Sequence, residues 1–404
     1  MSSKIRGVVP PLAIPLKDGE LDVPSLERHI NRLIEAGLDG LFVSGSTGEV
    51  AFSTAERRAQ IQREAVRIVD GRIPLLVGVI DTETERVIEN IKAVEEIGGA
   101  TGVVATAPFY ALGGETEVER HFRILKENTS LELWAYDIPV CVHTKLSPDL
   151  LMRLGRDGVI DGVKDSSGDD VAFRWLCLAN EAAGHPLQLL TGHEVVVDGA
   201  YMSGADGSVP GLANVDPEGY VRQWQAYERR DWEAVRAEQD RLAELMRIVQ
   251  VKGVQGFGAG VGAFKAALHL LGVFDSPEMP RPVAAIEGDN MEHVASRAAR
   301  GRPALLIRRR AGALPFRILR AFGRAPRPRR FSYTPFQFVR ILMTTLLALD
   351  IGGTKVGWGI VEAGDTYEVT GARIDPHRRD ARRTRTWRLA SVTLPRPWSP
   401  LTRR

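Results

Sequence analysis

The sequence predicts a closed (β/α)8 barrel followed by a helical extension. Between residue 7 and about residue 215, short β-rich runs alternate with amphipathic helical stretches, and such regular alternation implies a parallel sheet covered by helices. Eight of these units in roughly 200 residues fit a closed barrel, whose active site lies at the C-terminal ends of the strands. After Pro217 the β-rich runs stop and apolar residues recur at helical spacing, which indicates helices packed after the barrel.

The eight predicted strands are apolar, β-rich runs bounded by turn residues. They cover residues 8–14, 40–44, 75–80, 102–106, 131–136, 159–163, 188–191 and 207–210. Among the helices between them, residues 23–36 have Asp22 or Pro24 near the start and Gly37 after the end, as helix boundaries prefer. Residues 53–69 form another. In the extension, the predicted helices cover residues 216–229, 231–249 and 258–271.

Composition divides the chain into four segments. Residues 1–215 form the predicted barrel and residues 216–297 the helical extension. Residues 298–342 are rich in arginine and proline without a sustained period, so we expect disorder, because such a segment is unsuited to forming a packed core. Residues 343–404 open with a strand-like run and return to arginine-rich sequence after about residue 374. The net charge of +2 over 404 residues averages these unlike parts.

Composition also restricts the compartment. The chain has two cysteines, Cys141 and Cys177, without paired spacing or a metal-type cluster, which is typical of a protein from a reducing compartment. The N-terminus lacks the apolar core of a signal peptide. The most apolar stretch, residues 338–351, is interrupted by Arg340 and Asp350 and is shorter than the roughly 20 residues that span a bilayer. We therefore expect a soluble, cytoplasmic protein without a membrane partner.

One lysine carries the functional prediction. Lys164 follows the apolar run at 159–163, which places it at the mouth of a buried strand. A lysine amine forms a Schiff base with a ketone once burial or a charged neighbour makes it nucleophilic. Far upstream, the run Gly-Ser-Thr-Gly at 45–48 offers N–H groups and hydroxyls for a small carboxylate. Together these features predict a lysine-dependent aldolase or lyase acting on a 2-oxo acid.

Five short motifs follow one another along the predicted barrel. They are Gly45-Ser46-Thr47-Gly48-Glu49, Pro108-Phe109-Tyr110, Tyr136-Asp137-Ile138-Pro139, Gly162-Val163-Lys164-Asp165-Ser166-Ser167-Gly168 and Gly204-Ala205-Asp206-Gly207. Each is weak alone. In this order they resemble the N-acetylneuraminate lyase / dihydrodipicolinate synthase superfamily of Schiff-base (β/α)8 enzymes, and the resemblance covers residues 6–297.

The resemblance implies a role for each matching residue. Lys164 would be the Schiff-base lysine, Tyr136 the proton-transfer group beside it, and Tyr110 part of a hydroxyl relay that often reaches a neighbouring subunit's site. Ser46 and Thr47 would bind the substrate carboxylate. The other substrate-binding residues are Gly48, Ser166, Gly192, Glu194 and Val209. The resemblance implies a small-molecule 2-oxo acid substrate, no metal or organic cofactor, and a homotetramer.

Several polar residues near these motifs have another interpretation. Asp165, Asp169 and Asp170 are expected at a helix N-terminus, where the helix dipole favours negative charge, and not as catalytic acids. His193 follows Gly192 and is either a hydrogen-bond donor in the pocket or a packing residue.

Departures from the family's patterns bear on the substrate. Synthases of this superfamily usually have an arginine two residues after the Pro of Tyr-x-x-Pro, where this chain has Cys141, and losing a charge-assisted carboxylate contact is a large change. Sialic-acid lyases usually follow a Gly with an aromatic residue, Asp and Glu, whereas here His193, Glu194 and Val195 follow Gly192. Glu194 can replace the first acid, but Val195 cannot accept a hydrogen bond. We expect a pocket for a polyol with an altered polar lining.

Residues 343–362 resemble the opening of a sugar kinase of the repressor/open-reading-frame/kinase family. The run Asp-Ile-Gly-Gly-Thr-Lys at 350–355 matches its phosphate-binding hairpin, in which glycines allow close approach to phosphate. About forty residues follow, too few for the rest of a kinase, so we hypothesise read-through or a frameshift into an adjacent kinase gene beginning at Met343. A lyase beside such a kinase fits sialic acid breakdown.

We therefore expect a class I aldolase or lyase that cleaves N-acetylneuraminate to pyruvate and N-acetylmannosamine. A 2-keto-3-deoxy sugar-acid aldolase and a dihydrodipicolinate synthase-like enzyme are the alternatives. Two other classes stay open. Arginines of residues 297–330 can release counterions from phosphate, as in a nucleic-acid binder, although the absence of a recognised binding motif disfavours this class. A non-catalytic sensor of 2-oxo acids would not need Lys164.

Overall fold

The computed structural model describes residues 5–300, together with the backbone of four further strands between residues 345 and 387. The chain separates into two compact units, Met1–Ala311 and Gly312–Arg404. The first unit contains the barrel and the helical extension, and the second contains the four further strands. No helix in the described part of the chain is both long enough and apolar enough to cross a membrane.

The first unit is built around eight parallel strands. In chain order, β1 to β8 are Gly7–Val8, Leu41–Val43, Leu75–Gly78, Gly102–Thr106, Glu132–Asp137, Gly162–Asp165, Gln188–Thr191 and Gly207–Ser208. Strands β2 to β8 pair in sequence, and β8 pairs with β1. A parallel bridge between Pro11 and Phe42 joins the chain after β1 to β2. The predicted (β/α)8 barrel is therefore confirmed.

Two glycines allow β8 to approach β1. Gly7 and Gly207 are register partners, and a Cβ atom on Gly207 would lie 2.1 Å from the carbonyl oxygen of Gly7. Gly7 also has a φ of +96°, a conformation that residues with a side chain rarely adopt. The backbone contact between these two strands thus requires glycine at both positions.

Helices cover the outside of the barrel. The helices α1 to α8 are Val23–Glu35, Ala55–Val69, Thr84–Ile97, Glu115–Glu127, Pro139–Val142, Pro148–Arg156, Asp170–Ala182 and Val197–Ser203. The start predicted for α1 is confirmed, because the Asp22 carboxylate accepts a hydrogen bond from the Ser25 N–H at 3.2 Å. Such a cap satisfies an N–H that the first helical turn leaves free.

The extension adds four helices to the barrel. The helices α9 to α12 are Pro217–Glu228, Trp232–Met246, Gly256–Leu270 and Gly288–Arg300. The first three agree with the predicted helices. Helix α12 was not predicted. Most of its residues are polar or small, so few apolar positions indicate which side of the helix is buried. Val294, one of these apolar residues, is wholly buried.

The strand predicted at 159–163 is displaced along the chain. Strand β6 starts at Gly162 and ends at Asp165, so Lys164 lies inside the strand and not after it. Val159 and Ile160 are buried without belonging to the sheet. An apolar run indicates that its residues are buried, but residues can be buried by packing outside the sheet as well as within a strand.

The N-terminal segment also differs from its prediction. The strand predicted at 8–14 is reduced to β1, because Pro10 and Pro11 lack the N–H groups that a ladder needs. A hairpin of Leu16–Lys17 with Glu20–Leu21 follows and was not predicted. Its turn residues Asp18 and Gly19 have φ values of +54° and +81°, and the Asp-Gly pair is the sequence signal for such a turn.

The second unit contains a four-stranded antiparallel sheet. Its strands are Thr345–Gly352, Lys355–Glu362, Glu368–Arg373 and Arg385–Trp387. The first two form a hairpin in which Gly352 lies opposite Lys355. The kinase resemblance of residues 343–362 stays a prediction. Disorder was predicted for residues 298–342. The start of that segment belongs to α12, and the rest of it lies outside the described residues.

Candidate active site

Lys164 lies near the C-terminal end of β6, where a barrel of this class places its chemistry. It is the register partner of Tyr136 on β5, so both side chains point to the same face of the sheet. Lys164 is buried, and its Nζ lies 4.1 Å from the centre of the Tyr136 ring and 4.7 Å from the centre of the Phe42 ring. Contact with two ring faces fixes the position of the amine.

The phenol of Tyr136 reaches the loop after β2. Its Oη lies 3.4 Å from Ser46 Oγ, and either oxygen can donate the hydrogen. Phe42 meets the Tyr136 ring edge-on, with ring centres 6.0 Å apart and planes at 86°, a preferred aromatic arrangement. The structure therefore brings Lys164, Tyr136 and Ser46 together, although they are widely separated in sequence.

Ser46 and Thr47 belong to a tight turn. The Glu49 N–H donates to the Ser46 carbonyl at 3.0 Å, which closes the turn. Gly48 packs against backbone, since a Cβ atom there would lie 3.2 Å from the carbonyl oxygen of Leu12. Ser46 and Thr47 are only half-buried, so their polar groups remain accessible to a ligand, whereas Gly48 supports the turn from beneath.

Gly192 lies in contact with Lys164 and Ser166. A Cβ atom at position 192 would lie 2.1 Å from Ser166 Oγ and 3.2 Å from Lys164 Cε, so a side chain cannot be accommodated without displacing them. The Gly192 N–H donates to the Asp165 carbonyl at 2.6 Å. Two predicted pocket residues, Gly192 and Ser166, thus lie next to the lysine.

Glu194 and Val209 lie after β7 and β8. Glu194 Oε1 accepts a hydrogen bond from the Leu212 N–H at 3.2 Å. Burial raises the pKa of Glu194, and the backbone hydrogen bonds and the positive charge of Lys164 oppose that shift. Val209 is buried and its N–H donates to the Thr191 carbonyl at 2.7 Å. Glu194 therefore supplies a polar group held by a backbone N–H after β7, and Val209 an apolar one at the adjoining strand end.

Tyr110 is not part of this cluster within one chain. It lies in the loop between β4 and α4 with a φ of +74°, which is uncommon for a residue other than glycine, and its side chain is 94% exposed. Its participation in a neighbouring subunit's site stays a prediction, because that site belongs to a second copy.

Lys145 was missed by the sequence analysis as a contributor to the site. Its Nζ forms an ion pair with Asp137 and lies 3.8 Å from Asp165. These acids are register partners and directly follow Tyr136 and Lys164. Burial raises the pKa of Asp137 to about 6, and the hydrogen bond and charge of Lys145 oppose that shift. Lys145 therefore joins the ends of the two strands that carry the reactive groups.

Three further predictions are decided by contacts near Lys164. Asp169 does cap α7, accepting a hydrogen bond from the Ala172 N–H at 2.9 Å. The helix N-terminal position predicted for Asp165 is wrong, because Asp165 is buried at the end of β6 and accepts a hydrogen bond from the Ser167 N–H at 2.9 Å. His193 Nδ1 lies 3.3 Å from an oxygen of Asp170, and both side chains are partly exposed, so the ring has a polar partner near the surface.

Cys141 occupies the position where synthases usually have an arginine. It lies in the short helix α5 and is exposed. Partial burial of the thiol raises the pKa of Cys141, and the nearby charge of Lys164 opposes that shift. The side chain at this position carries no guanidinium.

A buried ion pair lies beneath the 45–49 turn. Glu49 is paired with Lys265 of α11, which the sequence analysis also missed. The available signal was a single charged residue in the apolar stretch of α11, since a buried lysine requires a partner. Spacing gave no indication of which acid it pairs with, because the two residues are 216 positions apart.

The arrangement contains the groups that imine chemistry requires. A lysine amine can act as a nucleophile and a phenol can transfer protons, and the Ser46 hydroxyl lies within reach of the phenol of Tyr136. Among residues 5–300 and the described strands beyond, no three His, Cys, Asp or Glu side chains are grouped as metal ligands.

Comparison with known proteins gives a consistent match. Residues 4–300 match the dihydrodipicolinate synthetase family. An uncharacterized DapA-like lyase from Thermococcus onnurineus is 30% identical over 290 residues, which cover 71% of this chain and 96% of that protein. A 4-hydroxy-tetrahydrodipicolinate synthase from Thermotoga petrophila is 27% identical over 289 residues, which cover 71% of this chain and 95% of that protein.

Solved structures show the same similarity. The dihydrodipicolinate synthase of Bacteroides thetaiotaomicron aligns with a TM-score of 0.70 at 29% identity, covering 74% of this chain and 100% of that one. A prophage protein of the dihydrodipicolinic acid synthase family from E. coli K12, solved in complex with pyruvate, aligns with a TM-score of 0.70 at 26% identity. That alignment covers 74% of this chain and 99% of the E. coli chain.

Proposed function

The chain belongs to the dihydrodipicolinate synthetase family and is a carbon–carbon lyase of that family, and we propose that Lys164 forms an imine with pyruvate or a longer 2-oxo acid. The observation that carries the proposal is the buried Lys164 Nζ, 4.1 Å from the centre of the Tyr136 ring. The relative solved with pyruvate supports a 2-oxo acid as the ligand. A protein that only bound such an acid would not need a buried amine beside a phenol.

Imine formation at Lys164 replaces the carbonyl oxygen of the 2-oxo acid with the lysine nitrogen. The neutral amine attacks the C2 carbonyl of the 2-oxo acid, the nitrogen gives up its protons, and the carbonyl oxygen leaves as water. The Tyr136 hydroxyl transfers these protons, which requires hydrogen-bond reach in the substrate complex. Ser46 and Thr47 receive the substrate carboxylate through hydroxyl and N–H groups, which keeps C2 over the amine.

The protonated imine then accepts an electron pair. When the C3–C4 bond breaks, its electrons move toward the imine nitrogen and give an enamine, while the C4 hydroxyl loses its proton and becomes an aldehyde. Protonation of the enamine at C3 and hydrolysis by one water release pyruvate and restore the lysine. Because the imine nitrogen takes the electron pair, we propose that the reaction needs no metal or organic cofactor.

We propose a sugar acid as the substrate, with N-acetylneuraminate, cleaved to pyruvate and N-acetylmannosamine, before other 2-keto-3-deoxy sugar acids. Glu194 supports a polyol, because a fixed carboxyl near Lys164 accepts hydrogen bonds from hydroxyl groups. A second carboxylate on the substrate would lack a free cationic partner at this position. It would meet Cys141 in place of an arginine, and Lys145 is already paired with two acids.

A synthase reaction is the second candidate. The observation that favours it is similarity to a protein named 4-hydroxy-tetrahydrodipicolinate synthase over 95% of that protein's length. The two candidates differ in direction and in the partner of pyruvate. Release of pyruvate from sugar acids supports the first, and consumption of pyruvate with aspartate semialdehyde supports the second.

The deciding experiment is borohydride trapping with pyruvate, followed by intact-mass measurement and peptide mapping. The expected result is one reduced pyruvate adduct on Lys164, absent from Lys164→Ala. A folded protein that gives no adduct would contradict imine chemistry and favour the sensor interpretation. A screen of N-acetylneuraminate and keto-deoxy sugar acids then identifies the substrate.

We also propose a homotetramer in the cytoplasm. Exposed apolar residues support assembly, since Val171, Trp175 and Leu178 of α7 are 61%, 63% and 55% exposed and share one helix face. Tyr110 is exposed in the same way, and the free thiols of Cys141 and Cys177 suit a reducing compartment. Light scattering tests the assembly. A monomeric protein with full activity would contradict both the tetramer and the shared role of Tyr110.

A further inference from the structure

A buried ion pair joins helix α11 to the turn that carries Ser46 and Thr47. Lys265 is wholly buried, and its Nζ lies 3.0 Å and 3.2 Å from the two carboxylate oxygens of Glu49, which is 3% exposed. We propose that Lys265 is a positioning residue, which fixes residues 45–49 for binding the substrate carboxylate by holding Glu49. This inference rests on the proposed binding of a 2-oxo acid at that turn.

A backbone hydrogen bond couples Glu49 to Ser46. Its N–H donates to the Ser46 carbonyl at 3.0 Å, so the two residues move together. Its φ is +61°, a conformation that a residue with a side chain keeps only where surrounding contacts hold it. The ion pair to Lys265 is such a contact, and it acts at the end of the turn next to the predicted carboxylate site.

Each charge of the pair depends on the other. Burial raises the pKa of Glu49 to about 7 and lowers the pKa of Lys265, and the charge of each partner opposes the shift of the other. Arg57 and Glu278 are the other charged groups that act on the pair. Removing Lys265 alone therefore leaves a carboxyl buried without its cation, which favours either a neutral Glu49 or movement of the turn toward water.

Helix α11 also contacts the segment that carries Gly211 and Glu194. The ring of Phe264 lies against Gly211, where a Cβ atom would be 2.8 Å from Phe264 Cε2 and 2.7 Å from Glu194 Oε1. Phe257 packs on Phe52, just after the turn, with ring centres 5.0 Å apart. The helical extension thus supports both the carboxylate turn and the Glu194 segment, and Lys265 is its charged contact with the first.

The test compares full-length variants in borohydride trapping and in urea unfolding. Lys265→Met removes the cation while keeping a long side chain, and the double variant Glu49→Met/Lys265→Met removes both charges. Arg241→Met is the control for loss of a partly buried cation, because Arg241 forms ion pairs with Asp216 at 2.6 Å and with Glu238, all inside the extension. Three quantities are measured: the pyruvate concentration for half-maximal trapping on Lys164, the trapped fraction at saturating pyruvate, and the urea midpoint.

The expected result separates positioning from stability. Lys265→Met raises the half-saturating pyruvate concentration about tenfold, a change equivalent to 1.4 kcal/mol, and leaves the trapped fraction at saturation unchanged. The double variant recovers the urea midpoint, because apolar residues often replace a buried ion pair without loss, but it keeps the raised half-saturating concentration. Arg241→Met lowers the midpoint and leaves pyruvate binding unchanged.

Two outcomes overturn the inference in different ways. If the double variant binds pyruvate as the wild type does, the ion pair serves stability alone and Lys265 positions nothing. If the wild type itself traps no pyruvate, the proposed function fails, and the inference that rests on it fails with it.

Discussion

Tyr136 and Lys164 are register partners on neighbouring parallel strands, and the amine of Lys164 lies 4.1 Å from the centre of the Tyr136 ring. The backbone hydrogen bonds of the sheet fix this relationship, since adjacent strands lie about 4.8 Å apart. The proposed nucleophile and the proposed proton-transfer group are thus both placed by paired strands of the barrel. Replacing the functional group of one residue should leave the other in place.

Tyr136→Phe should separate proton transfer from binding. The ring that contacts Lys164 and Phe42 is kept, and only the hydroxyl 3.4 Å from Ser46 Oγ is lost. We expect the rate of imine formation at saturating pyruvate to fall about 10²- to 10⁴-fold, the usual contribution of a positioned acid–base group. Time-resolved borohydride trapping measures this rate. An unchanged rate would show that another group transfers the proton.

Gly192→Ala should strongly reduce trapping on Lys164. The added Cβ would lie 2.1 Å from Ser166 Oγ and 3.2 Å from Lys164 Cε, so one or both side chains must leave their positions. We expect the trapped fraction to fall at least tenfold while the protein still folds. Intact-mass measurement after borohydride reduction gives this fraction.

Two variants control for the Gly192 substitution. Gly199→Ala introduces the same methyl group on α8, where nothing lies within 4 Å, and should leave trapping unchanged while stabilising the helix by about 0.5–1 kcal/mol. Adding Ser166→Ala to Gly192→Ala removes the oxygen at 2.1 Å and should restore part of the trapping. If the double variant does not recover trapping although Ser166→Ala alone traps normally, the loss in Gly192→Ala comes from displacement of Lys164.

The sequence was sufficient to predict the barrel and the position of Lys164 near the end of one of its strands. Apolar runs ending in turn residues located all eight strands, and the residues at their C-terminal ends were expected to meet because parallel strands end at one face. The exact limits of the strands could be predicted less accurately. Val159 and Ile160 are buried by packing outside the sheet, so their hydrophobicity could not show that β6 starts at Gly162.

The ionic supports of the site could not be predicted. Lys145 meets Asp137 and Asp165, and Lys265 meets Glu49, but neither pairing follows a sequence period. These contacts depend on how loops and helices fold back over the barrel, and many acids compete as partners. A charged residue in an apolar helix indicates that a partner exists, whereas only the tertiary structure identifies it.

Lys145→Met should destabilise the fold and disturb the site. The substitution leaves Asp137 wholly buried without the cation that it contacts. We expect a loss of about 1–3 kcal/mol in the free energy of unfolding, the usual cost of an uncompensated buried polar group, measured by urea denaturation. Asp137→Asn in the same chain should recover part of this loss, because it removes the charge and keeps an oxygen for the Leu146 N–H at 3.1 Å. No recovery would indicate that packing of the lysine stem matters more than its charge.

Two buried histidines should make the fold sensitive to acid. His29 Nε2 donates to Asn214 Oδ1 at 2.9 Å, and burial, aided by the charge of Arg32, lowers the pKa of His29 from 6.5 to about 3. Burial likewise lowers the pKa of His121 to about 4. The unfolded chain binds these protons below pH 6.5 while the folded protein does not. The stability contributed by neutral histidines is therefore complete above pH 6.5 and is lost as the pH falls toward 4 and 3.

The slope of stability against pH tests this mechanism. Each neutral buried histidine should contribute about 1.4 kcal/mol per pH unit to the decline below pH 6.5. His29→Gln should therefore flatten the decline of the unfolding free energy between pH 6.5 and pH 4.5 by about that slope, whatever it does to stability at pH 7. Urea denaturation at several pH values measures both quantities. A variant with the slope of the wild type would show that His29 is already protonated in the folded protein, and that burial and the charge of Arg32 do not exclude the charge from this site.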